Sequence, residues 1–379
     1  MVKHRIVLTG GGTGGHVYPA LSVAEQLKEN PDVEAILYIG ARGHIEERLA
    51  AERKLDFVGL SVGGMPRKLS PKLLTWPFQM LSAIMQAKAV LTEFKPTAVL
   101  GTGGYASAPP LAAAQLLKVP YAVHEPDAHP GLVNRVFGSN ARIVSLGMEG
   151  AAEKFHPKNG KVVVNGNPIS KNFSRPMDKA AACAAFGLNP EFTTLLITGG
   201  SQGAQAINET VFQALPQLLA LEPPLQIIHQ VGEKNFAEFK SRLDGSTENS
   251  SRYQLRAYID DLSTAYAASD FTVCRAGAMT ISELEVTGTP AIFIPYPFAA
   301  QDHQTFNANF VQEQKAALVI PQSDLTVDRF VAVVKQAADK SNNMLQSMRT
   351  NMAKLGKPEA AANLARNLQD LSAEYQSKK

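Results

Sequence analysis

Residues 6–27 read IVLTGGGTGGHVYPALSVAEQL. A short apolar run gives way to five glycines and a histidine, His16. Apolar residues at helical spacing follow, Leu21, Ala24 and Leu27. Strand, glycine turn and helix in that order build a βαβ unit with a parallel sheet. Glycines let an anion approach the backbone, and the helix start supplies N–H groups and partial positive charge. Residues 10–15 also satisfy G-x-G-x-x-G, the dinucleotide fingerprint. That fingerprint wants an acidic residue at the end of the second strand, for a ribose. Here the strand ends Tyr38-Ile39-Gly40-Ala41-Arg42, with no acid. This argues against NAD and leaves Arg42 as a narrow case for NADP.

The same grammar runs along the chain. Apolar runs rich in β-branched residues lie at 6–8, 35–39, 98–100, 121–123, 143–144 and 162–164, each but the last followed by helical spacing. The pattern then restarts with a strand at 194–198, a second-half glycine turn and a helix at 204–219. Further strands are expected at 225–230, 271–273 and 291–294. Between the halves, NGNPISKNFSRPMDK (165–179) is polar, contains Pro168 and Pro176, and reads as a linker. The expected fold is α/β, with two Rossmann-like doubly wound domains at 1–166 and 167–355. A C-terminal helix at 356–379, with Ala362, Leu364, Leu368 and Leu371 at three- and four-residue steps, is expected to pack back on the first domain.

Composition fits this. The chain has 379 residues, 45% apolar and 19% charged, enough for two cores and unlike a disordered chain. Its two cysteines, Cys183 and Cys274, are far apart and read as free thiols of a reducing compartment. The apolar run at 6–8 is too short for a signal peptide. The charge-free stretch 96–117 holds Gly101, Gly103, Gly104, Pro109 and Pro110, so it reads as strand, turn and helix rather than a membrane span. Residues 1–167 carry 18 Lys+Arg against 13 Asp+Glu, whereas the remainder is slightly acidic. The first half therefore suits an acidic partner. No basic run with interleaved aromatics points to nucleic acid, so an anionic membrane surface or a phosphorylated substrate fits better.

Three more glycine-rich turns sit at strand-to-helix junctions: Gly101-Thr102-Gly103-Gly104-Tyr105, Gly199-Gly200-Ser201-Gln202-Gly203 and Arg275-Ala276-Gly277-Ala278-Met279-Thr280. Any one could be only a tight turn. Four together imply phosphorylated ligands, one per domain, at the C-terminal ends of the strands. Glu283 follows the last turn and could take a ribose diol, or serve as a helix-dipole or capping-box glutamate. Gln304 could read sugar hydroxyls, with Asp302 as an N-cap. His124-Glu125 ends a strand and should point to the mouth of the site; His44 and His129 read as surface or core residues. No His/Cys spacing and no Asp-x-Asp suggests a metal, so helix starts and backbone amides would have to neutralise a diphosphate. Finally, MPRKLSPKLLTWPF (65–78) mixes cations with apolar residues. It reads either as a loop entering a core helix or as a patch, with Lys72, Leu73 and Trp76, lying on an anionic membrane.

Taken in order, these motifs resemble, over nearly the whole chain, the MurG family of bacterial N-acetylglucosaminyltransferases, glycosyltransferase family 28. The matching stretches are GGTGGHVYPALSVAEQL, GTGGYAS, PGLVNR, GNP (166–168), GGSQGA, YIDDLSTAYAASD and CRAGAMTISELEVTGTPAIFIP. The resemblance implies a GT-B fold with two domains facing a central cleft, and no cofactor. It implies inverting transfer of GlcNAc from UDP-GlcNAc to the 4-hydroxyl of MurNAc in undecaprenyl-pyrophosphoryl-MurNAc-pentapeptide, lipid I. The place implied is the cytoplasmic face of the bacterial inner membrane, bound peripherally. Ile259 would meet uracil through its backbone and Glu283 the ribose. Ser201 and the amides of Ala278, Met279 and Thr280 would meet the diphosphate, and Gln304 the GlcNAc. Thr13, Gly14 and Gly15 would approach the donor from the first domain. Gly12, Gly103, Gly104, Tyr105 and Asn134 would hold the acceptor pyrophosphate. Two donor-side positions depart from the family. Asp127 ends His-Glu-Pro-Asp where the family has His-Glu-Gln-Asn, bringing charge near a diphosphate, and Ser170 stands where an arginine is common. A histidine can take a proton near neutral pH, so His16 is the first candidate base and Glu125 its rival. The alternatives are a UDP-GlcNAc epimerase of the same fold, an NADP oxidoreductase and a non-catalytic nucleotide-sugar binding module. An epimerase needs no lipid acceptor and would leave the 65–78 patch without a purpose.

Overall fold

A computed structural model describes residues 3–64, 71–243 and 251–378, with side chains from residue 74 onward in the second stretch. The chain divides into two compact units. Unit 1 is Met1–Ser170 with Lys357–Lys379, and unit 2 is Lys171–Gly356.

Unit 1 is built on seven parallel strands: β1 (His4–Thr9), β2 (Val33–Ala41), β3 (Asp56–Leu60), β4 (Ala98–Gly101), β5 (Tyr121–Glu125), β6 (Ile143–Leu146) and β7 (Lys161–Val164). Their order is β3-β2-β1-β4-β5-β6-β7. Both faces of the sheet are covered, which is why Ile6, Val7 and Leu8 are all fully buried instead of alternating. Val7, Ile39, Val99 and Val123 face one core, and Ile6, Leu8, Leu100 and Ala122 the other. That second core includes Leu364, Ala365, Leu368 and Leu371 of the C-terminal helix Ala360–Ser377. Ala362 is only half-buried, because the packed stripe runs through Ala361, Leu364, Ala365 and Leu368 and passes it by. Ser372 Oγ stands 2.8 Å from the buried His4 Nδ1, tying this helix to the first strand.

Unit 2 has six parallel strands: β8 (Thr193–Thr198), β9 (Leu225–Gln230), β10 (Tyr253–Arg256), β11 (Phe271–Cys274), β12 (Ala291–Phe293) and β13 (Ala317–Val319). Their order, β10-β9-β8-β11-β12-β13, repeats the doubly wound scheme of unit 1. The reversal of strand order falls between β1 and β4 in unit 1 and between β8 and β11 in unit 2. All four glycine turns follow these four strands.

Several details differ from expectation. β3 and β10 are edge strands of mixed polarity and lack the apolar run that marks a central strand, and the edge strand β13 is apolar but only three residues long. β6 leads into the 3₁₀ helix Glu149–Lys154, not an α-helix. The linker holds a second 3₁₀ turn, Lys171–Ser174, before Asp178 caps the helix Lys179–Ala185. The stretch 96–117 folds as β4, a 3₁₀ turn and the helix Ala108–Leu116. Among the described residues, no helix is long and apolar enough to cross a membrane.

Candidate functional site

In unit 1 the first two glycine turns lie against each other. Gly11 N donates to Gly103 O at 3.3 Å. Gly104 has φ +75, and a β-carbon there would stand 1.9 Å from Gly11 O, so no other residue fits without moving the first turn. Gly103, at φ +97, is bracketed by the His16 ring and the Asn134 amide, which a β-carbon would meet at 2.7 and 3.2 Å. Tyr105 covers Gly12 from the side, and its hydroxyl lies 3.3 Å from His44 Nδ1. Thr13 precedes the helix Gly14–Lys28, which begins at Gly14 and Gly15, and no side chain caps that helix start. Its hydroxyl instead stands 3.0 Å from His16 Nδ1. His16, Gly103, Gly104, Tyr105 and Asn134 therefore come together as one cluster.

The neighbouring His-Glu-Pro-Asp loop is organised from below. His124 does not face a site mouth, as the strand-end position suggested: it is fully buried. Its Nε2 donates to Asn167 Oδ1 at 2.9 Å, since that amide's Nδ2 already donates to Pro126 O, and its Nδ1 lies 3.1 Å from Ser145 Oγ. Burial lowers its pKa to about 4 and keeps the ring neutral. The Asn167 of the Gly-Asn-Pro stretch is thus the peg that fixes this loop.

Glu125 is also buried, and its two oxygens receive three donors. Asp127 N reaches Oε1 at 3.0 Å; Gly131 N and Asn134 Nδ2 reach Oε2 at 3.0 and 2.9 Å. Burial and the nearby Asp127 charge push its pKa up to about 7 against the pull of those bonds. Asn134 spends its amide hydrogens on Glu125 and on His124 O, while its buried Oδ1 has no partner. A buried orphan acceptor is rare and costly.

Sequence reasoning missed Glu46. The end of the second strand carries no acid, but five residues beyond it Glu46 turns back, fully buried, and accepts from Ala41 N at 3.1 Å and, at 3.5 Å, from Gly12 N. A β-carbon at Gly11 would meet its Oε1 at 2.3 Å. This carboxylate braces the glycine turn from beneath and cannot reach a ribose.

In unit 2 the turn after β8 is shaped by Gly200 (φ +82) and Gly203 (φ +73). Ser201 lies exposed at its tip, ahead of the helix Gln205–Leu219, which has no side-chain cap. After β11, Gly277 precedes the helix Ala278–Thr287, so Ala278, Met279 and Thr280 form its first turn. Glu283 is the sixth residue of that helix. It stands beyond the capping-box position, and its Oε2 accepts from Tyr266 Oη at 3.2 Å. Burial raises its pKa to about 7. Gln230 was also not foreseen. It is buried at the end of β9, donates from Nε2 to Gly200 O at 3.1 Å and accepts Ile259 N at 3.0 Å. It clamps two loops at once, and it leaves the Ile259 carbonyl, not its N–H, for a base. Gln304 Oε1 accepts Tyr296 N at 3.0 Å. Asp302 occupies the N-cap position in a left-handed conformation, but its carboxylate takes the Thr305 hydroxyl instead of a backbone N–H. Asp127 is half-buried in unit 1 and Ser170 lies exposed at that unit's edge.

The 65–78 stretch is divided. Residues 65–70 and the side chains of Lys72 and Leu73 lie outside the described residues. Trp76 is half-buried and donates Nε1 to Gly63 O at 3.2 Å. The exposed apolar residues of this helix, Pro71–Phe94, are instead Leu74, Phe78, Leu81 and Met85, from 54% to 78% exposed. Their four-, three- and four-residue spacing sets them on one face.

Comparison with known proteins places the chain in a family. Residues 6–145 match the glycosyltransferase family 28 N-terminal domain, and 194–364 the family 28 C-terminal domain. The chain is 35% identical over 370 residues to a UDP-N-acetylglucosamine–N-acetylmuramyl-(pentapeptide) pyrophosphoryl-undecaprenol N-acetylglucosamine transferase of Halothermothrix orenii, covering 97% of this chain and 98% of that one. It is 38% identical over 362 residues to the enzyme of that name from Desulfitobacterium hafniense, covering 94% and 96%. Among solved structures, MurG of Acinetobacter baumannii superposes with a TM-score of 0.78 at 29% identity, over 97% of this chain and 99% of that one.

Proposed function

The chain belongs to the MurG family of UDP-N-acetylglucosamine–N-acetylmuramyl-(pentapeptide) pyrophosphoryl-undecaprenol N-acetylglucosamine transferases, and from that premise we propose how its residues divide the reaction. The reaction moves GlcNAc from UDP-GlcNAc to the muramyl sugar of the lipid-linked acceptor, lipid I. Unit 2 takes the donor. The Ile259 carbonyl accepts from uracil and Glu283 takes the ribose hydroxyls. The Ser201 turn and the Ala278, Met279 and Thr280 amides receive the diphosphate charge as UDP leaves. Gln304 reads the GlcNAc.

Unit 1 takes the acceptor, and the observation that carries this is the pair of abutting glycine turns at an uncapped helix start, with the His16 ring and the Asn134 amide beside Gly103. The Gly12, Gly103 and Gly104 turns, with Tyr105 and Asn134, hold the pyrophosphate. Inversion needs one in-line displacement at the anomeric carbon, with the 4-hydroxyl losing its proton as it attacks. His16 accepts that proton, its ring set by the Thr13 hydroxyl. Glu125 is a positioning residue, because both of its oxygens already hold the loop and Asn134.

The exposed face of the helix Pro71–Phe94, in the more basic half of the chain, lies against an anionic membrane surface. That places a peripheral enzyme where its lipid-linked acceptor is. The base assignment is tested with His16→Gln. Turnover should fall by about 10²-fold or more with little change in KM for UDP-GlcNAc. Near-normal turnover would remove His16 from this role.

A further inference from the structure

The two residues assigned to the nucleoside of UDP-GlcNAc, Ile259 and Glu283, lie on either side of one short helix. Ile259, the residue assigned to uracil, stands two positions before Asp261, which caps the helix Leu262–Ala268 by accepting from Ser263 N at 3.0 Å and Thr264 N at 3.3 Å. One turn further on, Tyr266 is almost fully buried, with Phe173 packed at a ring-centroid distance of 6.0 Å. Its hydroxyl donates to Glu283 Oε2 at 3.2 Å, on the neighbouring helix. A tyrosine buried this deeply wants a partner for its hydroxyl, and here the partner is the ribose-binding carboxylate. A carboxylate has two oxygens and about four acceptor sites, so one bond from Tyr266 leaves enough for two ribose hydroxyls.

We propose that Tyr266 is a positioning residue for donor recognition: its hydroxyl holds Glu283 in the orientation that accepts the 2′- and 3′-hydroxyls of the ribose. The helix Leu262–Ala268 thereby ties the base-reading segment to the ribose-reading carboxylate. This rests on the assignment of Glu283 to the ribose. Without the phenol hydroxyl the carboxylate keeps its place in the chain but loses its fixed direction. The loss should fall on the ribose contact and not on the chemical step.

The test uses the full-length enzyme, a soluble lipid I analogue, and two donors, UDP-GlcNAc and its 2′-deoxyuridine counterpart. Wild type should prefer UDP-GlcNAc by about 100-fold in kcat/KM, because a site built to bond a hydroxyl rejects the analogue lacking it. Tyr266→Phe keeps the ring and the Phe173 contact. It should lower kcat/KM for UDP-GlcNAc roughly tenfold, mostly through KM, and lower it by a clearly smaller factor for the deoxy donor, which keeps only one of the two ribose contacts, so that discrimination shrinks. Glu283→Gln should shrink discrimination at least as far, and the double variant should lose little more than Glu283→Gln alone. Additive losses in the double variant, or equal losses on both donors in Tyr266→Phe, would reduce Tyr266 to a packing residue and overturn the proposal. If Glu283→Gln keeps full discrimination, the ribose assignment itself falls, and that result is read without reference to Tyr266.

Discussion

Glu283 holds its proton up to about pH 7 because its carboxyl is enclosed, and ribose hydroxyls bond best to the ionised form. The KM for UDP-GlcNAc should therefore fall as pH rises from 6 toward 8 and level off above that. The drop between pH 6 and the plateau should be about tenfold, set by the fraction ionised. Donor KM measured across this range, flat from 6 to 8, would contradict the assignment. Glu125 titrates near the same pH but belongs to unit 1, so its effect should appear in the acceptor KM. Asn134→Ala should likewise raise the acceptor KM and spare the donor KM; a donor-only effect would refute its place on the acceptor side. Much at this scale is legible in the sequence. A glycine turn between strand and helix announces itself, because glycine takes positive φ at little cost and allows close approach. The bracing of those turns is not legible. Glu46 sits 34 residues from the amide it supports, and nothing in its neighbourhood marks it. His124 was misplaced for a related reason, since a strand-end position does not reveal that Asn167 and Ser145 will enclose the ring.

Among the elements, the helix Pro71–Phe94 is the most informative. The sequence singles out its start by composition, but composition does not say which side chains turn inward. Trp76 spends its indole N–H on Gly63, while Phe78, Leu81 and Met85 face solvent. Phe78→Asp with Leu81→Asp should cut binding to anionic vesicles by tenfold or more, since about 0.8 kcal/mol is lost for each CH₂ equivalent no longer buried in lipid. Thermal stability should barely change, because these side chains have little to lose in the folded protein. Undiminished vesicle binding in a sedimentation assay would move the membrane contact elsewhere. Edge strands show the complementary limit. β3 and β10 each border solvent, so their sequences are mixed and escape a search for apolar runs, while β13 is apolar but only three residues long.

For the molecule as a whole, both units carry a buried neutral histidine, His124 in one and His229 in the other, with pKa lowered to about 4 and about 3. An unfolded histidine binds a proton near pH 6.5, so both lend stability that is present above that pH and lost as pH falls toward 4. The melting temperature should decline over that window, and His229→Gln should flatten part of the decline in unit 2. An unchanged slope would show that His229 is not the group responsible. The C-terminal helix completes the first sheet's second core, so Leu368→Ala should cost about 2–5 kcal/mol, read as a lower urea midpoint.

The reaction is best settled by its product. Radiolabelled UDP-GlcNAc and a lipid I analogue, incubated with the wild-type enzyme, should yield a labelled disaccharide whose new bond is β-linked to the muramyl 4-hydroxyl, in step with UDP release. Label recovered as an epimerised nucleotide sugar, or bound without turnover, or transferred with the α configuration, would contradict the assignment of inverting transfer to these residues.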